Sequence, residues 1–440
     1  MPEIRAFRAL RYNPETVLDL GRVVAPPYDV ISPARRTELA ARDPRNVVAI
    51  DLPVDAGAAD PDEKYRVAAR TFGAWRSDGT LSKDRQPSLY VYEQEFTVPG
   101  TSLRRVQRGF YGRLRLEAFG PDAGVLPHER TLAGPKEDRY KLMRASGANF
   151  SGVMVLYGDP TGAAHRLLVE ATEAAAVADV TDDDGVRHRL WMVPDEGATA
   201  PLAAGLREAA EREPVTIADG HHRYETALRY RDERRMTRSG DDDPPFDFLL
   251  TLFMDTSAEP LLALPTHRVA RGVSGADGLV EAAAGSGLFD VEPADRAALR
   301  AAFGPEAQAP GGRGRIGLWT RAGGALLTAR RDAFAPVLPS GGDAVRQLDV
   351  TLLSAALERL CAIDRAATTT GGRVGYTKDV DEAIAWVDSR VDAADAAFLL
   401  EATPVAAITA VARDGDVMPQ KSTYFYPKPV TGFVLNPLEW

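Results

Sequence analysis

The chain has 440 residues, 45% of them hydrophobic and 26% charged, with a net charge of −10. Such a length and apolar fraction allow two or three domains with sizeable cores and exclude global disorder. The acidic balance argues against a general nucleic-acid binder and against attraction to anionic membrane surfaces, and the single cysteine, Cys361, excludes an internal disulfide or a cysteine-based zinc site.

Met1 to Phe7 lacks the apolar region of a signal peptide. No window approaches the roughly 18 uncharged apolar residues of a membrane helix, so a cytoplasmic location is expected. Residues 1–118 form a first α/β region. RVVAPPYDVI (22–31) reads as a buried strand broken by two prolines. SPARRTELAARDP (32–44) opens a helix, with Ser32 as N-cap and Pro33 in the first turn. NVVAIDLP (46–53) reads as a short strand. Residues 62–80 place Tyr65, Ala69, Phe72 and Trp75 on one helical stripe. SLYVYEQEFTV (88–98) and RRVQRGFYGRLRL (104–116) alternate at period two around Pro99-Gly100 and predict a hairpin.

A second region, 119–270, holds most of the histidines. It begins with an extended segment (124–132), followed by a helix from Pro135 to about Gly147, a strand over 151–159 and a mostly helical stretch over 164–180. A strand over 185–193 and a helix near 200–213 precede buried strands over 246–255 and 261–270. A third region, 271–440, carries helices near 276–286, 296–303, 343–360 and 380–391. A flexible loop is expected from residue 306 into a strand near 317, and the last 25 residues show no helical period. Cys361 falls on a helix and reads as a small core residue. The Asp runs at 182–184 and 241–243 read as solvated loops. The fold class is α/β with mixed sheets.

The chemistry concentrates in PVTIADGHHRYETALRY (214–230). An apolar strand stops at Asp219-Gly220, and a helix starts at once. This arrangement points backbone N–H groups and a positive dipole end at an anion. Gly220 permits close backbone approach. Arg223 offers a fork suited to phosphate oxygens. His221 and His222 are candidates to bind phosphate or to move a proton. Asp219 is a candidate ligand for Mg²⁺. The bland alternative is an Asp N-cap followed by surface histidines. A zinc site built on His222 and Glu225 lacks a third ligand nearby.

Other segments could complete a pocket. Tyr28 and Asp29 follow Pro26-Pro27, where a cis peptide would aim them sharply. LPTHR places Thr266, His267 and Arg268 at a strand end. MPQKSTYFYPK places Lys421, Ser422, Thr423 and Lys428 in a non-helical stretch suited to phosphate, without the glycine-rich loop of a P-loop. Tyr424, Phe425 and Tyr426 read as core or as a base-stacking surface.

ADGHHRYETAL resembles the phosphate-binding signature of the ParB/sulfiredoxin superfamily, and within it the Asp-Gly-His-His-Arg motif of the free serine kinase branch. PEIRAFRALRYN, VVAPPYDVIS, YVYEQEF, VLPHERTL, LPTHR and MPQKSTYFYPKPVTG together resemble the family catalogued as domain of unknown function 1015, whose members are often encoded beside serine-biosynthesis enzymes. The first resemblance implies a ParB/sulfiredoxin-like core in the second region, with elaborated regions on either side. It also implies phosphate binding by Gly220, His221, His222 and Arg223, and a glutamate base, for which Glu129 beside His128 is the candidate. Both resemblances imply chemistry on a small molecule, serine or phosphoserine.

These parts suffice for a phosphotransferase using ADP or ATP and Mg²⁺, running from serine or in reverse from phosphoserine, since phosphoryl transfer needs mostly positioning and charge neutralisation. Glu129 would exchange the hydroxyl proton. A phosphatase and a non-enzymatic, ParB-like nucleotide-binding protein are the alternatives. The first lacks the Asp-x-Asp-x-Thr motif of the common aspartyl phosphatases. The second lacks a recognisable helix-turn-helix for DNA. No nucleic-acid or membrane partner is expected, and the sequence leaves the oligomeric state open.

Overall fold

Alternation at period two carries over directly into a hairpin. Ser88–Thr97 and Arg104–Arg115 pair antiparallel with Tyr90 opposite Tyr111. The computed structural model describes residues 1–438 except 56, 58, 130, 132, 238–242, 258–260, 306, 308–313 and 371. Most of the loop expected from residue 306, and two of the three residues in the Asp run at 241–243, lie outside the described residues.

The hairpin sits inside a nine-stranded mixed sheet. From one edge its main path runs Val125–Leu126, Val215–Asp219, Val153–Tyr157, Phe248–Asp255, then the hairpin, Arg187–Pro194 and Ala178–Thr181. Val215–Asp219 is parallel to Val125–Leu126 and antiparallel to Val153–Tyr157. Phe248–Asp255 is buried along its whole length, as a mostly apolar strand covered on both faces should be. Strands from both sides of residue 118 share this sheet, so the first two regions of the sequence reading have a common core. A second sheet of six antiparallel strands lies within residues 267–399, close to the expected third region.

Helix starts follow the caps. Ser32 accepts from the Arg35 amide at 3.2 Å and opens Pro33–Arg42. Tyr65, Phe72 and Trp75 are buried on Glu63–Ser77. Three expectations are corrected. The segment 46–53 is no strand: Val48–Asp51 is a short helix, because the Asn46 side chain turns the chain by accepting from the Val48 amide at 3.1 Å. Residues 22–31 form no strand, since Pro26 and Pro27 have no N–H to pair, and only Ala25 bridges to Thr431. The stretch 164–180 is helical only over Ala163–Ala171 and joins the first sheet as Ala178–Thr181. Among the described residues the cis peptide is Tyr426–Pro427, not 26–27. Cys361 is buried on the helix Asp349–Cys361, and burial pushes its thiol up to about 12. Among the described residues no helix is long and apolar enough to cross a membrane.

The C-terminal segment leaves the second sheet and crosses back over the first part of the chain. Phe425–Tyr426 pairs with Leu262–Ala263, Leu435 bridges to Leu10, and Asn436–Pro437 pairs with Ala148–Asn149. This return path lays residues 418–430 over the junction between the strand ending at Asp219 and the helix that follows.

Candidate functional site at the Asp219–Arg223 corner

The strand Val215–Asp219 ends and the helix His221–Thr237 begins with one residue between them. That residue, Gly220, has φ +94°, a left-handed value that glycine adopts without penalty. The Gly220 carbonyl accepts from the Tyr224 amide at 3.0 Å, closing the first helical turn. The first-turn amides have no carbonyl within the helix to bond.

Arg223 adopts a different role from the one its spacing suggests. Its guanidinium turns back beneath the corner, donating from Nη2 to Asp219 at 2.5 Å and from Nη1 to the Gly152 carbonyl. It lies 2.9–3.0 Å from where a Cβ on residue 220 would sit. Gly220→Ala therefore combines an unfavourable φ with a clash against an anchored guanidinium. The variant should lose about 1–3 kcal/mol of stability, read as a lower midpoint in urea or thermal unfolding.

Asp219 accepts a second charged bond, from Lys428 Nζ at 2.6 Å. Burial works against its carboxylate, but Lys428 and Arg223 hold it well below the usual carboxylate range. In turn, Asp219 raises both cations above their ordinary values despite burial. With one oxygen on each cation, Asp219 does not fit the role of Mg²⁺ ligand. Among the described residues no group of three metal-ligating side chains occurs.

Burial disfavours the charged form of all three histidines. His221 is 8% exposed and is pushed well below its ordinary value by burial, then by His128. Its Nε2 accepts from the His128 amide at 3.2 Å, so the ring proton sits on Nδ1. Fully buried His128 is brought down to about 4 by burial, bonds the Ile217 carbonyl through Nδ1 and reaches the Thr423 hydroxyl at 3.2 Å. His222 is half-buried and also lowered, mainly by burial, with Glu225 opposing and Lys421 and Lys136 assisting.

Glu129 stands across the corner, its backbone bridged to Met418. Burial pushes its carboxyl up to about 7, against the pull of Lys421, whose amide lies 3.4 Å from Oε1. Lys421 is exposed, with φ +56°. The Ser422 side chain is buried and donates to the Pro419 carbonyl. Arg268 is buried, donates to the Thr266 carbonyl at 2.6 Å and to the Lys421 carbonyl at 3.3 Å, and is lowered to about 10 chiefly by burial. Tyr28 lies under the Arg139 guanidinium, 4.0 Å from ring centroid to Cζ, and burial pushes its hydroxyl up to about 12. Asp29, beside it, is exposed.

The structure thus brings together 128–129, 219–223 and 421–428, with Arg268 reaching in from the second sheet. Tyr28 and Asp29 stand nearby, close enough for the Asp29 carboxylate to act on Arg223. His267 lies apart. It is fully buried in the second sheet, its Nδ1 accepts from the Leu400 amide at 3.1 Å, and burial takes it down to about 3. Sequence reasoning missed Lys378, whose Nζ sits 4.0 Å from the Tyr424 ring, while Lys428 Nζ lies 4.7 Å from that ring. Burial and the charges of Lys428 and Lys421 lower Lys378. A lone lysine in GYTKD carries no motif; only the second sheet places it here.

Among solved structures, the chain is similar to a conserved hypothetical protein from Pyrococcus furiosus, at 13% identity and TM-score 0.33, covering 71% of this chain and 92% of that one. It is also similar to a free serine kinase in complex with AMP, at 12% identity and TM-score 0.35, covering 72% and 86%. A third is SbnI with a C-terminal truncation from Staphylococcus aureus, at 11% identity and TM-score 0.34, covering 74% and 88%. A search of curated proteins returns no match. The family model described as "protein of unknown function (DUF1015)" matches residues 4–351, and the chain belongs to that family.

Proposed function

We propose that the protein is a nucleotide-dependent phosphotransferase acting on serine or, in reverse, on phosphoserine. The observation that carries the reading is Glu129. Its carboxyl is lifted to about 7 and stands beside Lys421, across from the glycine corner. A carboxylate poised near neutral pH is what proton exchange with an alcohol requires. The Asp-Gly-His-His-Arg motif supports the phosphate half of the reading.

The roles then divide by position. The first-turn amides after Gly220, with His222 and the ammonium groups of Lys421 and Lys428, receive the phosphates. Thr423 and the neutral pair His128 and His221 hold the 128–129 segment against the corner. Arg223 and Asp219 position the turn from beneath. Arg268, close to both Glu129 and Lys421, and Tyr28 with Asp29 are assigned to the substrate side. In this reading charge neutralisation rests on the lysines and the helix terminus. No step is assigned to a metal held by Asp219.

Purified protein incubated with phosphoserine, ADP and Mg²⁺ is expected to release serine and form ATP. The reverse mixture should form phosphoserine. Absence of turnover in both directions with every common nucleoside di- and triphosphate would remove the reading.

A further inference from the structure

Beside the corner lies a cavity of about 380 Å³ that the signature motif does not touch. Its walls come from three separated segments, 21–42, 180–188 and 424–430. One side is aliphatic, with Val30, Leu39, Val180 and Val430; another carries Tyr424 and Tyr426. Among the lining residues, buried His188 bonds the Tyr92 hydroxyl through Nδ1 at 2.6 Å and Asp182 through Nε2 at 3.0 Å. The two arginines on the rim, Arg35 and Arg42, are both paired with Asp183. Asp184 stands exposed among the lining residues. Lys428 belongs to both places, since it lines the cavity while its Nζ bonds Asp219 at 2.6 Å.

Size and chemistry select the ligand. The volume falls within the roughly 300–1,000 Å³ of small-molecule sites and far exceeds what a serine occupies. Aliphatic and aromatic walls suit a flat base, and a carboxylate at the rim suits vicinal ribose hydroxyls. Lys428 leads from there to the phosphate-binding corner. We propose that this cavity holds the nucleoside of the nucleotide, with the phosphates passing Lys428 toward Gly220. The proposal rests on the nucleotide-dependent reading above and adds the residues that select a nucleoside over bare phosphate.

The test uses the full chain, with ADP and inorganic pyrophosphate as separate probes in calorimetric titration. Val30, 39% exposed, is replaced by Trp to fill the cavity, and independently Asp184 by Asn to weaken the hydroxyl contact. Val30→Trp should weaken ADP binding by at least about tenfold and Asp184→Asn by about three- to tenfold, with pyrophosphate binding changed less than about twofold in either. Unchanged ADP affinity in both variants, with wild-type ADP binding intact, overturns the nucleoside site and leaves the phosphotransferase reading standing. Equal loss of both probes in both variants also overturns it. A wild-type protein that binds neither probe overturns both.

Discussion

Glu129→Gln is expected to lower kcat by about 10²–10⁴-fold, the usual contribution of a positioned general acid or base. Nucleotide binding should stay within a fewfold of wild type, because the glutamine keeps the acceptor that meets the Lys421 amide. The pH profile carries a second, independent reading. With the carboxyl at about 7, kcat/KM for serine phosphorylation should rise with pH up to that value and then level off, since the base must be ionised. For phosphoserine, where the leaving oxygen takes up a proton, the same group acts as an acid and the rate should fall above that value. A Glu129→Gln variant with wild-type kcat, or profiles flat across pH 6–8 in both directions, would exclude Glu129 from the chemistry.

The same residue should cost stability. A carboxyl raised above its ordinary 4.5 favours the protonated folded state, so its contribution is present at low pH and lost as pH rises through about 7. The Gln variant should accordingly be more stable than wild type at pH 8, by about 1–2 kcal/mol once solvent screening of a half-buried group is allowed for. An inactive but more thermostable variant is the usual signature of a site strained for function.

Asp219→Ala is expected to have the largest effect on folding. Its carboxylate faces Lys428 at 2.6 Å and Arg223 at 2.5 Å, with side-chain exposures of 16%, 11% and 9% for Asp219, Lys428 and Arg223. Removing it leaves two cations with little access to water and no counter-charge, a loss of about 3–5 kcal/mol. Because the folded-state carboxyl is depressed, this stabilisation is fully present above the ordinary carboxylate range and disappears as pH falls through the folded value. Wild type and variant should therefore converge in stability under strong acid. Chemical denaturation at pH 7 and in strong acid, below the folded value of Asp219, measures both. A variant within about 1 kcal/mol of wild type at pH 7 would mean that Asp219 is not the counter-ion of this corner.

The hairpin of Ser88–Thr97 and Arg104–Arg115, the Ser32 cap and the buried stripe of Tyr65, Phe72 and Trp75 were all legible from local pattern. Each depends on periodicity or on a cap within a few residues, and chain-local forces decide those. The short helix at Val48–Asp51 was not legible, because three apolar residues and an aspartate carry neither period and the Asn46 side chain tips the balance. The lack of a division at residue 118 was hidden for another reason. Strand order depends on which edges meet, and alternation within a strand says nothing about its neighbours.

At the site, sequence alone determined the corner itself: a strand, a glycine turn and a helix start follow from Asp219-Gly220-His221 and their flanks. Only the tertiary structure decided what the corner faces. The returning C-terminal segment lays Lys428 on Asp219 and sets Lys421 beside Glu129, across more than two hundred residues of chain. Arg223 also turns inward, onto Asp219 and the Gly152 carbonyl. A buried carboxylate two residues before the helix start competes for that guanidinium more strongly than open solvent does, and the burial that creates this competition arises only once distant segments have packed.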